Sequence, residues 1–89
     1  MSKFNTHFFG RDTSNTVVLD DPSISRFHCE LTVNGEHCLL VDANSTHGCF
    51  VERDGEWEAV KNAQLKLTDR VKIGRLSGVL NEFLKGERV

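Results

Sequence analysis

Between Phe27 and Val41 the chain alternates apolar and polar residues, and the alternation breaks at Asn34-Gly35. A period of two sends successive side chains to opposite faces of a strand. Asn-Gly between two such runs is a strong hairpin signal. The first arm carries Phe27, Cys29, Leu31 and Val33 on one face. The second arm, residues 36 to 41, is apolar on both faces at Leu39-Leu40-Val41, as expected of a strand lying beneath another layer. A lone hairpin is marginal in water, so this unit requires further strands to cover it.

The rest of the chain supplies them. Thr16-Val17-Val18-Leu19 is a short β-rich run ended by Asp20-Asp21-Pro22. Residues 42 to 48 form a turn-rich loop, and Cys49-Phe50-Val51 a short strand. Asp54-Gly55 marks a second hairpin, with residues 57 to 60 returning. Residues 65–67 and 71–73 read as further strands around Thr68-Asp69. Many short strands with turns every 8–12 residues point to an all-β sandwich or barrel. At the C-terminus Val79, Leu80, Phe83 and Leu84 have helical spacing, and Gly86 is placed to end a helix. The need to close a sheet favours a last strand through Phe83 instead. No repeat or linker divides the chain, so residues 4–85 are expected to form one domain.

Composition narrows the function. The 89 residues carry 11 Lys and Arg against 13 Asp and Glu, a formal net charge of −2. That excludes a strongly basic nucleic-acid binder. A domain of this size buries roughly 60–65% of its unfolded surface, enough to fold with little margin. No run approaches the ~18 apolar residues of a membrane span, and no N-terminal signal pattern is visible. A cytoplasmic location is therefore expected, with neither nucleic acid nor membrane as partner. Cys29, Cys38 and Cys49 are odd in number, which argues for reduced thiols used as small apolar residues over a disulfide framework.

The polar residues concentrate in the loops. Gly10-Arg11 follows Phe8-Phe9, Ser25-Arg26 precedes the Phe27 run, and Ser45-Thr46-His47-Gly48 follows the Leu39 strand. Gathered at one end of a sandwich, these loops offer two guanidiniums, three hydroxyls, an imidazole and turn amides. A phosphomonoester brings about −1.5 to −2 charge and three acceptor oxygens. Arginine meets it with a planar donor fork, and hydroxyls and turn N–H groups complete the shell.

The ordered set of motifs resembles the forkhead-associated (FHA) domain. The matching stretches are Gly10-Arg11, Asn15-Thr16-Val17-Val18-Leu19, Ser25-Arg26-Phe27-His28, residues 42–51 (DANSTHGCFV), and residues 67–74 (LTDRVKIG). They cover about residues 8 to 75. The resemblance implies a β-sandwich of two mainly antiparallel sheets, 11-stranded in the family, that reads phosphothreonine in protein segments. It implies that Arg11 and Ser25 bind the phosphate and that Arg26 lines the same pocket or the peptide groove. Ser45 and Thr46 would belong to the peptide site, with Thr46 holding the phosphothreonine side chain. His28 would brace the loops, and Gly10 and Gly48 would permit tight turns. Preference for threonine over serine would come from a pocket for the γ-methyl, worth roughly 1 kcal/mol by transfer.

Three positions depart from the family pattern. His47 stands where an Asn usually holds the peptide backbone. Histidine donates too, and it gains charge in mildly acid solution, which implies pH-dependent binding. Asp69-Arg70 replaces a Gly-Asp turn away from the site. Only nine residues precede Gly10, room for one strand where the family has two. The expectation is an abbreviated N-terminus or an open sheet edge, and an open edge invites a homodimer.

Rival readings are weaker. His28-Cys29 and His37-Cys38 look like metal ligands, but neighbours on a strand face opposite ways, and no Cys-x-x-Cys is present. Only His47 and Cys49 have same-face spacing. No Gly-x-Ser-x-Gly elbow is present, and the Ser25–His28 spacing does not bring the two tips together as a nucleophile and base need. The sequence therefore points to a binding module without catalytic activity, metal or cofactor. Phosphate contacts of ~1.5–3 kcal/mol each put Kd at roughly 1–100 μM, weakened by salt. The main alternative is a phosphate-independent interaction or dimerisation module on the same fold. Trp57, just past a hairpin turn, reads as cross-strand packing.

Overall fold

The computed structural model describes residues 4–86. Nine strands and one short helix follow in order: β1 (Asn5–Gly10), β2 (Val17–Val18), β3 (Cys29–Asn34), β4 (His37–Asp42), β5 (Cys49–Arg53), β6 (Glu56–Val60), β7 (Asn62–Lys66), β8 (Arg70–Ile73), β9 (Leu76–Val79) and α1 (Leu80–Leu84). They form a five-stranded sheet, β2-β1-β3-β4-β7, and a four-stranded sheet, β6-β5-β8-β9. All pairings are antiparallel except β1 with the two-residue β2. The expected all-β sandwich of two mainly antiparallel sheets is present. The eleven strands implied by the family pattern are not all there: the described residues hold nine.

The core is the period-two residues of both sheets. Leu31, Leu40 and Ala63 lie side by side across β3, β4 and β7, and Cys49 pairs with Ile73 and Val51 with Val71 in the second sheet. All are buried, as are Phe9, Val17, Ile24, Cys29, Cys38, Leu65 and Leu80. The three cysteines are free thiols within this core.

Four local expectations are corrected. The first hairpin forms, but Asn34 pairs with His37, so its two-residue loop is Gly35-Glu36, with Gly35 at φ +68°. Glycine at the first loop position is the type II′ solution. Asp54 and Gly55 both have positive φ, the type I′ solution. Second, Leu39 is not covered: it is 39% exposed on the outer face of the five-stranded sheet. Third, Phe27 is 57% exposed, because β3 starts only at Cys29 and Phe27 still belongs to the preceding loop.

Fourth, the C-terminus is not a strand through Phe83. β9 ends at Val79, which pairs with Arg70, the first residue of β8. Beyond that point no strand remains to pair with. The Leu80 and Asn81 N–H groups instead donate to the carbonyls of Asp69 and Leu67, both at 3.0 Å. The helical spacing then prevails, burying Leu80 and setting the Phe83 ring 6.2 Å from that of Phe9.

Candidate functional site

Three loops meet at one end of the sandwich: β1–β2 with Arg11, β2–β3 with Ser25 and Arg26, and β4–β5 with Ser45, Thr46 and His47. The backbone joins the first two. Arg11 N–H donates to the Ser25 carbonyl at 3.0 Å, and Asp12 N–H to the Arg26 carbonyl at 3.2 Å. Gly10 permits this approach. A Cβ there would lie 2.1 Å from the Arg26 carbonyl oxygen and 2.6 Å from Asn15 Nδ2. Asn15, only 5% exposed, donates from Nδ2 to the carbonyls of Asp12 (2.9 Å) and Arg26 (2.7 Å). Its role as the polar lock between these loops was not visible in the sequence beyond its place in a motif.

Arg11 is held as well as placed. Its Nε donates to the Ile24 carbonyl at 3.0 Å. That bond orients the plane of the guanidinium, leaving the terminal nitrogens as the donors for a ligand. Ser25 Oγ accepts the Thr46 backbone N–H at 3.0 Å, which ties the second loop to the third. The Ser25 hydroxyl proton can then be donated outward. Arg26, Thr46 and His47 have exposed side chains on the same loops.

His28 sits beneath this surface with no exposure. Ser25 N–H donates to its Nδ1 at 3.0 Å, and its Nε2 lies 2.9 Å from the Gly48 carbonyl. A nitrogen that accepts carries no proton, so the tautomer is Nε2–H, donating to Gly48. Burial pulls the His28 pKa down. The Cys49 thiol, the Gly48 carbonyl and the Asp42 carboxylate outweigh it and leave the pKa raised. The imidazole thus braces two loops, as the family pattern implied. Gly48 itself is at φ +80°, a backbone that favours glycine.

The third loop is organised by Asp42, which residue spacing alone did not single out. Its carboxylate accepts from the Ser45 N–H at 3.2 Å and makes a very short hydrogen bond with the Ser45 hydroxyl. It also accepts from Cys49 Sγ at 3.5 Å, and Lys61 Nζ lies 3.6 Å away. Ser45 Oγ in turn accepts the Gly48 N–H at 3.0 Å. Ser45 therefore points into the loop as a brace, whereas Thr46 faces solvent. Burial pushes the Asp42 pKa up. The Ser45 hydroxyl and N–H, with Cys49 and Lys61, overcome that and hold it below the usual carboxylate value.

A cross-sheet clamp fixes the second loop. Arg75 Nε donates to both Asp21 oxygens at 3.0 and 3.1 Å, and Arg75 Nη2 lies 3.0 Å from Oδ2. Arg75 N–H donates to Ser23 Oγ at 3.0 Å. The Ser23 N–H, the Arg75 guanidinium and the Ser23 hydroxyl, in that order, lower the Asp21 pKa to about 2. The partners lie 54 residues apart, and no local signal announced them.

Metal chemistry finds little support in the donor set. His28, Asp42 and Cys49 bring ligand atoms within 4.8 Å of one another, a different group from the His–Cys neighbours that the sequence suggested. Both His28 nitrogens are already engaged with backbone, and the Asp42 carboxylate with Ser45. The Cys49 thiol is held strongly protonated, first by the adjacent Cys29 thiol and then by burial. Burial, aided by Asp69, also pushes Cys38 up to about 11. His47 is exposed while Cys49 is buried, so that pair does not converge.

A two-sheet sandwich with hydrogen-bonded Gly-Arg, Ser-Arg-x-His and Ser-Thr-x-Gly loops at one end defines an FHA domain. The FHA family model matches residues 7–74, and the chain belongs to that family. Among similar proteins is the glycogen accumulation regulator GarA of Mycolicibacterium smegmatis, 35% identical over 79 residues, 89% of this chain and 46% of GarA. Another is the oxoglutarate dehydrogenase inhibitor of Corynebacterium jeikeium, 33% identical over 89% of this chain and 50% of that protein. The chain thus spans about half the length of these curated relatives. Among solved structures, the FhaA FHA domain complexed with the intracellular domain of Rv3910 is similar at a TM-score of 0.71 and 28% identity, covering 86% of this chain and 80% of that one. An FHA domain studied for phosphothreonine-dependent interactions has a TM-score of 0.71 at 30% identity, covering 82% and 72%.

Proposed function

We propose that this chain is a phosphothreonine-reading module that binds protein segments phosphorylated by Ser/Thr kinases and carries out no chemistry of its own. The observation that carries the reading is the joining of Arg11, Ser25 and Thr46: the Arg11 N–H on the Ser25 carbonyl and the Thr46 N–H on Ser25 Oγ, both at 3.0 Å. Arg11 and Ser25 donate to the phosphate. Arg26 adds positive charge at the rim. Thr46 faces the phosphothreonine side chain, and His47 donates to the peptide backbone. Ser45, His28, Gly10 and Gly48 hold the loops in place. The named relatives, a regulator and an enzyme inhibitor, and the neighbour studied for phosphothreonine-dependent interactions support this reading. A cytoplasmic setting, where kinases act, goes with it. Among the described residues no helix is long and apolar enough to cross a membrane.

The test is calorimetric titration of a phosphothreonine peptide pool into wild type and Arg11→Ala at low and high salt. Binding that weakens with salt and disappears in the variant supports the reading. Equal binding by both proteins would refute it.

A second reading is self-association through β9. That strand is an edge of its sheet, paired only with β8. Its residues, Leu76 to Val79, include no charge, whereas the opposite edge, β6, carries Glu56 and Glu58. Uncharged edges invite strand pairing. Sedimentation of wild type against Gly78→Pro separates the two readings, since the proline removes a donor from β9 and leaves the phosphate loops untouched.

A further inference from the structure

Phe27 follows Arg26 directly, yet its ring is 57% exposed, and Phe8 beside it is 48% exposed. The two rings line a recess of about 250 Å³ with Asn15, Glu30 and Ala43. Three of these residues belong to the phosphate-site loops or adjoin them: Asn15 locks the Gly10–Arg26 junction, Phe27 extends the Ser25-Arg26 loop, and Ala43 opens the loop that presents Thr46. The recess is therefore continuous with the candidate phosphate site, on the outer face of the five-stranded sheet. Its volume lies below the ~300–1,000 Å³ of pockets for drug-sized molecules and suits one side chain. Two half-exposed aromatic rings beside a phosphate site lose water when an apolar group covers them, and buried aromatic anchors dominate the energetics of small interfaces.

We propose that the Phe8–Phe27 recess is a second anchoring site of the same ligand: it takes one large aliphatic or aromatic side chain that the phosphothreonine segment carries a few residues from its phosphate. The proposal rests on the phosphothreonine reading above. The phosphate supplies attachment to Arg11 and Ser25, and the recess supplies selection among phosphorylated segments. The Glu30 carboxylate at its edge disfavours an acidic residue there.

The test uses two sets of phosphothreonine peptides, one with alanine at every flanking position and one scanned with leucine or phenylalanine at each. Anisotropy titrations are run on wild type, Phe27→Ser, Phe8→Ser and Arg11→Ala. Both phenylalanines are half-exposed, so their replacement leaves the fold intact, checked by circular dichroism. The expected result is one flanking position at which leucine or phenylalanine tightens wild-type binding about tenfold over alanine. That gain vanishes in Phe27→Ser and Phe8→Ser, while their affinity for the all-alanine peptide stays within about twofold of wild type. Wild-type binding that is lost in Arg11→Ala but indifferent to flanking apolar residues would overturn the recess and leave the phosphothreonine reading standing. Binding of no phosphopeptide by wild type would remove both.

Discussion

Ser25 accepts the backbone N–H of Thr46 on its side-chain oxygen and receives the N–H of Arg11 on its carbonyl. One residue thus joins loops that lie 14 residues before it and 21 after it, and it sets the spacing between the groups that would hold a phosphate. Replacing Ser25 by alanine removes a donor to the ligand and the tie to Thr46 together. The Thr46 N–H is exposed and can turn to water, so stability should change by less than about 1 kcal/mol. Affinity for a phosphothreonine peptide should fall roughly 10–100-fold, the worth of a charge-assisted hydrogen bond. Calorimetric titration beside a thermal melt reads both.

His28 serves two buried backbone partners, the Ser25 N–H and the Gly48 carbonyl. His28→Ala strands both, at roughly 1–3 kcal/mol each. In a domain of this size 1 kcal/mol shifts Tm by roughly 4–8 °C, so a fall of more than ~10 °C is expected. Loss of binding should accompany it even where the protein remains folded. A melt followed by circular dichroism checks the first, and titration at low temperature the second.

Gly10→Ala puts a methyl 2.1 Å from the Arg26 carbonyl oxygen. The first two loops must part to admit it, breaking the Asn15 bridge. Overpacking of this kind costs roughly 1–3 kcal/mol, and Arg11 moves with the backbone. Chemical denaturation should show the loss of stability, and peptide titration a loss of affinity comparable to that of Arg11→Ala.

Acid should weaken the domain through its carboxylates. Asp42 and Asp21 have folded pKa values below the 3.8 of an unperturbed Asp, about 2 for Asp21. The unfolded chain therefore takes up protons before the folded one does. The stability from both groups is whole above about pH 4 and is lost as pH falls towards 2. Asp42→Asn should be less stable than wild type at pH 7, and the gap should narrow between pH 4 and pH 2. Urea midpoints measured across that range check it; a constant gap would contradict the assignment.

The hairpins, the core alternation and the loop motifs were legible in the sequence because each is written in neighbouring residues. Asp54-Gly55 makes its turn, and Leu31, Leu40 and Leu65 face inward as their period requires. What escaped depended on partners far along the chain. Leu39 lies exposed because nothing covers the outer face of its sheet. The helix at Leu80 forms because β8 begins at Arg70 and offers no further pairing. The Asp21–Arg75 clamp joins the two sheets across 54 residues. At the site, Arg11, Ser25 and Thr46 were legible as a motif set. Asp42 and Asn15, which shape the loops without facing the ligand, became apparent only from their hydrogen bonds.

The central claim is tested most directly by anisotropy titration of one peptide scaffold in three forms: phosphothreonine, phosphoserine and unphosphorylated. The account predicts micromolar binding of the phosphothreonine form, weakening about fivefold or more for phosphoserine through the lost methyl, and no measurable binding without phosphate. Equal affinity for the phosphorylated and unphosphorylated peptides would contradict it and transfer the function to a surface that does not read phosphate.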